Sequence, residues 1–173
     1  MSFSWLVLQS LYFFLPAFIA NMAPEFFKWI HFNQPIWEKK LGKNKTWRGI
    51  IVAVVFGTLT FLLQKWLFQF SFFKSISLIN YSDFGLLLGF LMGLGAILGD
   101  AVASFFKRRD KIKPGESWMP YDQIDFAIGA LVLGWFVYVP KAGIAVIILV
   151  SSFFLHLIVS RIGYWLGIKK NKF

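Results

Sequence analysis

Five long apolar stretches dominate the sequence and restrict what the chain can fold into. They predict membrane-spanning helices over residues 5–23, 50–70, 84–106, 124–139 and 144–166, because a helix needs about 20 apolar residues to cross the hydrocarbon core of a bilayer. Hydrophobic residues make up 58% of the chain, whereas soluble domains contain about 45–50%. We therefore expect an all-α integral membrane protein, with residues 1–173 forming a single domain of five transmembrane helices.

The first apolar stretch is expected to be a retained span rather than a cleaved signal peptide. No Lys or Arg precedes it, and it lacks an A-x-A cleavage pattern. Asn21, near its end, has two interpretations. It is either a polar group that caps the helix or bonds to a neighbouring helix, or a residue that binds a ligand. The residues alone leave both open.

Positive charge is distributed unevenly between the two sides of the predicted spans. The formal net charge is +10, and fifteen of the 18 Lys and Arg residues fall in segments 28–48, 107–113 and 161–172. The other three are Lys65, Lys74 and Lys141. By the positive-inside rule, the N-terminus is predicted outside and the C-terminus in the cytoplasm, with cytoplasmic loops at 25–48 and 107–123. The same rule explains the basic balance, so no nucleic-acid partner is expected.

The segment 99–125 contains five of the eight acidic residues, together with five basic ones. On a helix, Asp100, Ser104 and Lys107 share one face because they are spaced i, i+4 and i+7. A carboxylate near the end of an apolar span is costly unless it has a partner or a function. Two further acids open the next span at i, i+3: Asp122 and Asp125. Acids and cations thus meet at one membrane face, as a metal-bound triphosphate requires.

A second polar motif, GKNKTWRG at residues 42–49, lies in the other predicted cytoplasmic loop. Lys45 and Arg48 can face one anion, and Thr46 can cap the helix that follows. The motif is not a Walker P-loop, because the spacing differs and no strand precedes it. On its own it does not identify a nucleotide site.

Glycines recur through the third predicted span. Gly85, Gly89 and Gly93 repeat at four-residue intervals and are followed by Gly95 and Gly99. Small residues at this spacing let helices approach each other closely in lipid. We predict that these glycines are packing residues.

The sequence offers few soft metal ligands. It contains no cysteine, which excludes disulfides and thiolate zinc sites. His31 and His156 are isolated from each other and from any paired-histidine motif, and both are interpreted as structural or interfacial residues.

These motifs together resemble the integral-membrane CTP:phosphatidate cytidylyltransferase superfamily. The resemblance is carried by Ser104-x-x-Lys107-Arg108, then Lys113, Pro120 and Asp122-Gln-x-Asp125. A more specific pattern, GKNKTWRG followed by GDAVASFFKRR, IKPGE and P-x-DQIDF, is similar to the archaeal-lipid branch, the CDP-archaeol synthases. The bacterial phosphatidate enzymes carry Lys-Asp and His-Gly-Gly, where this chain has Lys113-Pro114 and Gly115-Glu116-Ser117-Trp118. This difference favours the archaeal branch.

The resemblance implies a reaction of CTP with a membrane lipid phosphate, 2,3-bis-O-geranylgeranylglycerol 1-phosphate. The products would be a CDP-archaeol-type lipid and pyrophosphate, in polar membrane lipid biosynthesis. A phosphate monoester dianion is already a nucleophile, so no serine, cysteine or histidine nucleophile is needed. Catalysis then rests on positioning and on charge stabilisation by metal and cationic side chains.

The resemblance also implies roles for individual residues. Mg²⁺ suits hard oxygen ligands, and the candidate metal ligands and catalytic residues are Asp100, Asp122 and Asp125. Lys107 is assigned to both catalysis and phosphate binding. The other candidates for binding CTP and its phosphates are Lys45, Thr46, Arg48, Ser104, Arg108 and Lys113. Asn21 and Lys43 are candidates for the lipid headgroup, while Asp110 and Glu116 are expected to be solvated loop charges.

Two alternatives stay open at this point. Synthesis of CDP-diacylglycerol from phosphatidate uses the same chemistry on another lipid. A small transporter or partner subunit, with Asp100 as an ion site, belongs to a different class. An odd number of spans and the absence of a visible internal repeat disfavour a transporter built from inverted halves. The sequence does not determine the oligomeric state.

The cation distribution makes a prediction about topology. Because the chain has no cysteine, single cysteines introduced by Ser77→Cys and Ser117→Cys report only on their own positions. In sealed cells, an impermeant thiol reagent should label Ser77→Cys and should label Ser117→Cys only after permeabilisation. Equal labelling of both variants in intact cells would contradict the five-span topology.

Overall fold

Five long helices form most of the chain in the computed structural model, which describes residues 2–113, 116, 118–165 and 167. They are α1 (Phe3–Phe26), α3 (Trp47–Leu67), α5 (Leu87–Arg109), α6 (Tyr121–Gly134) and α7 (Ala142–Trp165). The short elements are α2 (Glu38–Leu41), α4 (Ser71–Ser75) and a 3₁₀ turn (Tyr81–Asp83). Over the described residues, the extended pairing is a single bridge between Pro35 and Thr46. The all-α prediction is confirmed.

Four helices, α1, α3, α5 and α7, are long and apolar enough to cross a membrane, counted over the described part of the chain. The fourth predicted span, 124–139, corresponds to α6, which has only 14 residues. A helix perpendicular to the bilayer needs about 20. The chain is therefore a multi-span membrane protein, while a fifth crossing through α6 and the orientation of the termini stay predictions.

The start of α3 differs from the predicted start for a local reason. The helix begins at Trp47 rather than at residue 50. The Thr46 hydroxyl accepts a hydrogen bond from the backbone N–H of Gly49 at 3.2 Å, which satisfies a donor that the first helical turn would otherwise leave unpaired. The predicted capping role of Thr46 is confirmed.

Glycines bring α5 into backbone contact with two neighbouring helices. On one side, Gly93 faces Gly57 of α3. A Cβ added to Gly57 would lie only 2.8 Å from the Gly93 Cα. On the other side, Gly99 faces Gly129 of α6. A Cβ added to Gly129 would lie only 2.8 Å from the Gly99 Cα. A Cβ on Gly99 would also collide with the carbonyl oxygen of Asp125.

The packing role predicted for the α5 glycines is confirmed for four of them and wrong for one. Gly89, Gly93, Gly95 and Gly99 all lack room for a side chain. Gly85 has no atom within 4 Å of an added Cβ, because it lies before the first residue of α5 and outside the helix contacts.

The helices leave a polar space at one end of the bundle. α5 packs mainly against α6 and α3, and α7 packs against α6 and α1. Large apolar side chains such as Phe14, Leu88 and Met92 are buried among them. The C-terminal halves of α1, α5 and α7 and the N-terminal turns of α3 and α6 surround the polar space.

We expect Gly99→Ala to destabilise the protein and Gly85→Ala to be neutral. The new methyl group at Gly99 would meet the backbone of Asp125, which cannot move aside as a flexible side chain would. Overpacking of this kind typically costs about 1–3 kcal/mol. Thermal unfolding of the two purified variants in detergent would measure the difference. A Gly99→Ala variant as stable as Gly85→Ala would contradict the backbone contact between α5 and α6.

Candidate active site

A cavity of about 670 Å³ opens into the polar end of the bundle. Its described lining comes from all five long helices and from the chain between α1 and α3. The predicted site residues that line it are Asn21, Lys43, Lys45, Thr46, Arg48, Asp100, Asp122 and Asp125. Residues from both halves of the sequence, the 42–49 motif and the 99–125 segment, therefore reach one space.

Lys45 and Asp100 form an ion pair on the cavity wall. The ammonium group of Lys45 donates a hydrogen bond to Asp100 Oδ2. The two side chains are only 16% and 31% exposed, so solvent screens their attraction less than at an open surface. This contact joins the 42–49 motif to α5.

Lys107 and Asp122 form a second ion pair, between α5 and α6. Lys107 Nζ lies 2.6 Å from Asp122 Oδ2, and the side chains are 11% and 20% exposed. Lys107 also donates to the backbone carbonyl of Glu116 at 2.7 Å. The backbone N–H of Trp118 donates to Asp122 Oδ2 at 2.8 Å. One lysine thus ties α5 to the loop before α6 and to the first turn of that helix.

Asp125 adds a third carboxylate to the same wall. It lies one helical turn after Asp122 and accepts a hydrogen bond from the backbone N–H of Phe126. It interacts electrostatically with Asp100, Lys45 and Asp122. Among the described residues, however, no three carboxylate or imidazole side chains are grouped closely enough to hold a metal ion between them.

Arg48 lines the cavity, but its guanidinium group is engaged with the backbone. Nη1 donates to the carbonyl oxygens of Lys28 and Ile30, both at 3.0 Å. The residue is 9% exposed, and its Nε is buried without a hydrogen-bond partner. The geometry makes Arg48 an anchor for the turn that follows α1.

Four predicted phosphate-binding residues are not among the described cavity-lining residues: Ser104, Lys107, Arg108 and Lys113. Ser104 is buried within α5, at 8% exposure. Arg108 donates to the carbonyl oxygen of Ile112. Lys113 is exposed, and its backbone N–H donates to the Glu116 carboxylate at 3.1 Å. Lys107 reaches the cavity only through its partner Asp122.

The structure adds cavity residues that sequence reasoning missed, above all His156 of α7. The sequence pattern predicts a structural or interfacial role for His156, yet this residue lines the same cavity as the three carboxylates. One signal could have found it. An ionisable residue inside a long apolar span is costly and marks a functional position more often than not.

Comparison with known proteins identifies the family. A family model described as CarS-like CDP-archaeol synthase matches residues 3–173. The chain belongs to the CDP-archaeol synthase family. The resemblance predicted from the motifs is confirmed.

Individual relatives agree with this assignment to the CDP-archaeol synthase family. The CDP-archaeol synthase of Methanocaldococcus jannaschii is 36% identical over 169 residues, which cover 95% of this chain and 96% of the relative. That of Thermococcus onnurineus is 34% identical over 171 residues, covering 94% and 95%. A solved structure described as an intramembrane enzyme for archaeal membrane lipids biosynthesis has a TM-score of 0.66 and 26% identity. It covers 88% of this chain and 93% of its own.

The hydrogen bonds of Arg48 predict that Arg48→Ala, unlike the control Arg109→Ala, changes the hydrogen exchange of the turn after α1 and lowers turnover. Arg48→Ala removes two hydrogen bonds from a charged donor, each worth about 1.5–3 kcal/mol, and should loosen the turn at residues 28–30. Hydrogen exchange of that turn should become faster, and turnover should fall. Arg109→Ala, which changes an exposed residue in the last turn of α5, serves as the control. Unchanged exchange in Arg48→Ala would contradict the anchoring role.

Proposed function

We propose that the chain transfers CMP from CTP to 2,3-bis-O-geranylgeranylglycerol 1-phosphate, giving a CDP-archaeol-type lipid and pyrophosphate. The observation that carries the proposal is the meeting of the Lys45–Asp100 and Lys107–Asp122 pairs at one cavity, in a chain of the CDP-archaeol synthase family. The cavity volume of about 670 Å³ lies within the range of about 300–1,000 Å³ that small-molecule sites occupy.

The reaction needs two anions held together rather than a protein nucleophile. An oxygen of the lipid phosphate attacks the α-phosphorus of CTP, and the bond from that phosphorus to the oxygen bridging to the β-phosphate breaks. The electron pair leaves with pyrophosphate. The protein therefore has to align the two phosphates and stabilise the charge that develops on the leaving group.

The ion pairs suit that task because Lys45 is already held at the cavity, and Lys107 holds Asp122 there. A triphosphate carries several negative charges, so it competes with a single carboxylate for the Lys45 ammonium group. When Lys45 turns to phosphate, Asp100 loses its partner and becomes available to a cation. Lys107 keeps Asp122 and the loop before α6 in place.

The donor set fits Mg²⁺ shared with substrate phosphates. The described residues provide no three-ligand cluster, but Mg²⁺ in nucleotide sites usually takes only one or two carboxylates and completes its shell with phosphate oxygens and water. Asp100 and Asp125, with Asp122, would supply the carboxylate oxygens from the cavity wall. Bound there, the ion would neutralise phosphate charge and act as a Lewis acid toward the α-phosphate.

We further propose that the cavity faces the cytoplasm, where CTP is present. The cation distribution supports this orientation, since the loops beside the cavity carry most of the Lys and Arg residues. In this arrangement α6 and residues 135–139 form a short fifth crossing. The N-terminus then lies outside and the C-terminus in the cytoplasm.

An assay on the purified protein tests the function. With CTP and Mg²⁺, the archaeal lipid phosphate should release pyrophosphate with a kcat/KM at least about tenfold above that for phosphatidate, because packing contacts distinguish chains of different width and branching by about 1–3 kcal/mol per methylene-sized difference. A chelator should stop turnover, and added Mg²⁺ should restore it. Equal rates for both lipids would leave the acceptor undecided. A strong preference for phosphatidate would instead assign the chain to CDP-diacylglycerol synthesis.

Carboxylate variants supply the inactive controls for this assay. Asp100→Asn, Asp122→Asn and Asp125→Asn should each abolish turnover while the protein still purifies as a folded species. Asp110→Asn is the matched surface control, since Asp110 is exposed, and it should retain near-normal activity. Near-normal activity in any of the three cavity variants would remove that residue from the metal ligands.

A further inference from the structure

The inner face of α7 carries a polar side chain into the cavity. Ile144, Ile148, Ser152 and Ser160 are the buried residues of this helix. Their spacing is a multiple of four, so they form one ridge that faces the bundle. His156 falls in the same series and lines the cavity. The imidazole is therefore held on the inner face of the helix rather than toward lipid.

Placing the ionisable side chain of His156 inside an apolar span costs free energy, which favours a functional role. α7 has a mean hydropathy of 2.6, the highest of the four candidate spans among the described residues. His156 lies nine residues before Trp165, the last helical residue, which places it roughly 13 Å along the axis from that end. Ionisable side chains at such depth face protein interiors or water-filled cavities and commonly belong to substrate pathways.

A second polar residue joins His156 from the neighbouring helix. α1 packs against α7, and Asn21 of α1 lines the same cavity. Both residues lie in the C-terminal halves of their helices. An amide and an imidazole can each donate a hydrogen bond to a phosphate oxygen without bringing a fixed charge into the apolar part of the bundle.

This wall differs in chemistry from the rest of the cavity. Lys43 and Lys45 enter from the chain between α1 and α3, beside the carboxylates of α5 and α6. Among the described lining residues, α1 and α7 contribute no Lys or Arg, and the one carboxylate they contribute, Glu25 of α1, is paired with Lys28 at 2.5 Å. The positive charges of the lysines suit a triphosphate that enters from water. A lipid phosphate, whose hydrocarbon chains stay in the bilayer, can instead accept hydrogen bonds from polar side chains on the membrane-spanning helices.

We propose that Asn21 and His156 form the subsite for the acceptor phosphate, on the wall built by α1 and α7. The proposal rests on the proposed function, because it assigns the second substrate of that reaction to a place in the same cavity. An acceptor phosphate held there shares one space with a triphosphate bound at Lys45, as direct transfer requires. Its ligand class is the phosphate monoester of a diether lipid.

Kinetics with two variable substrates test the subsite. His156→Leu and Asn21→Ala, which remove the hydrogen-bond donors, should each raise the KM for the archaeal lipid phosphate about tenfold or more, the loss expected for a hydrogen bond to a charged group. The KM for CTP should change less than about twofold. His31, the other histidine of the chain, is exposed, so the matched control His31→Leu should leave both constants unchanged. A raised KM for CTP with an unchanged lipid KM would overturn the assignment.

Direct binding separates this proposal from the proposed function. A short-chain diether glycerol phosphate and the matching diether glycerol without phosphate are titrated calorimetrically into the full-length protein in detergent. The phosphate form should bind the wild-type protein more tightly, and His156→Leu and Asn21→Ala should abolish that advantage. If the wild-type protein binds the lipid phosphate but does not turn over, only the function fails. If the two variants keep the full advantage of the phosphate form, the subsite fails, whatever the activity.

Discussion

The close approach of α5 and α6 is the constraint on which the site depends. Gly99 and Gly129 leave the two backbones in contact, so the helices meet without side chains between them. Asp100 follows Gly99 directly, and the carbonyl of Asp125 lies where a Gly99 side chain would be. The carboxylates of two helices therefore come together because other positions lack side chains. In lipid, where no hydrophobic force favours one helix pairing over another, such contacts are a principal source of specificity.

Charge neutralisation is the second constraint. Carboxylates that are only partly exposed have lost much of their hydration, and a lysine partner offsets that cost without necessarily adding stability. Lys45 and Lys107 do so for Asp100 and Asp122. The Lys45–Asp100 pair and Asp122 thereby place charges of both signs on the cavity wall.

The cavity has to serve substrates from two phases. Residues 28–46 build its loop side, and Arg48 fixes the first part of that loop by its bonds to the carbonyls of Lys28 and Ile30. The spanning helices α1 and α7 build another side, to which they contribute Asn21, Pro24, Glu25 and His156. A water-borne nucleotide and a membrane-bound acceptor can meet only where walls of both kinds enclose one space.

The sequence by itself determined the all-α membrane class, the family, the Thr46 cap and most of the glycine contacts, because hydrophobic length, helix caps and small-residue spacing are local properties of the chain. It also marked Lys45, Asp100, Asp122 and Asp125 as site residues, and the fold brings all four to one cavity. Only the tertiary structure decided that the Arg48 guanidinium group donates its hydrogen bonds to backbone carbonyls and that His156 faces the cavity. The reason is physical: the partners of these side chains are supplied by segments far away in sequence, and they become neighbours only when the helices pack.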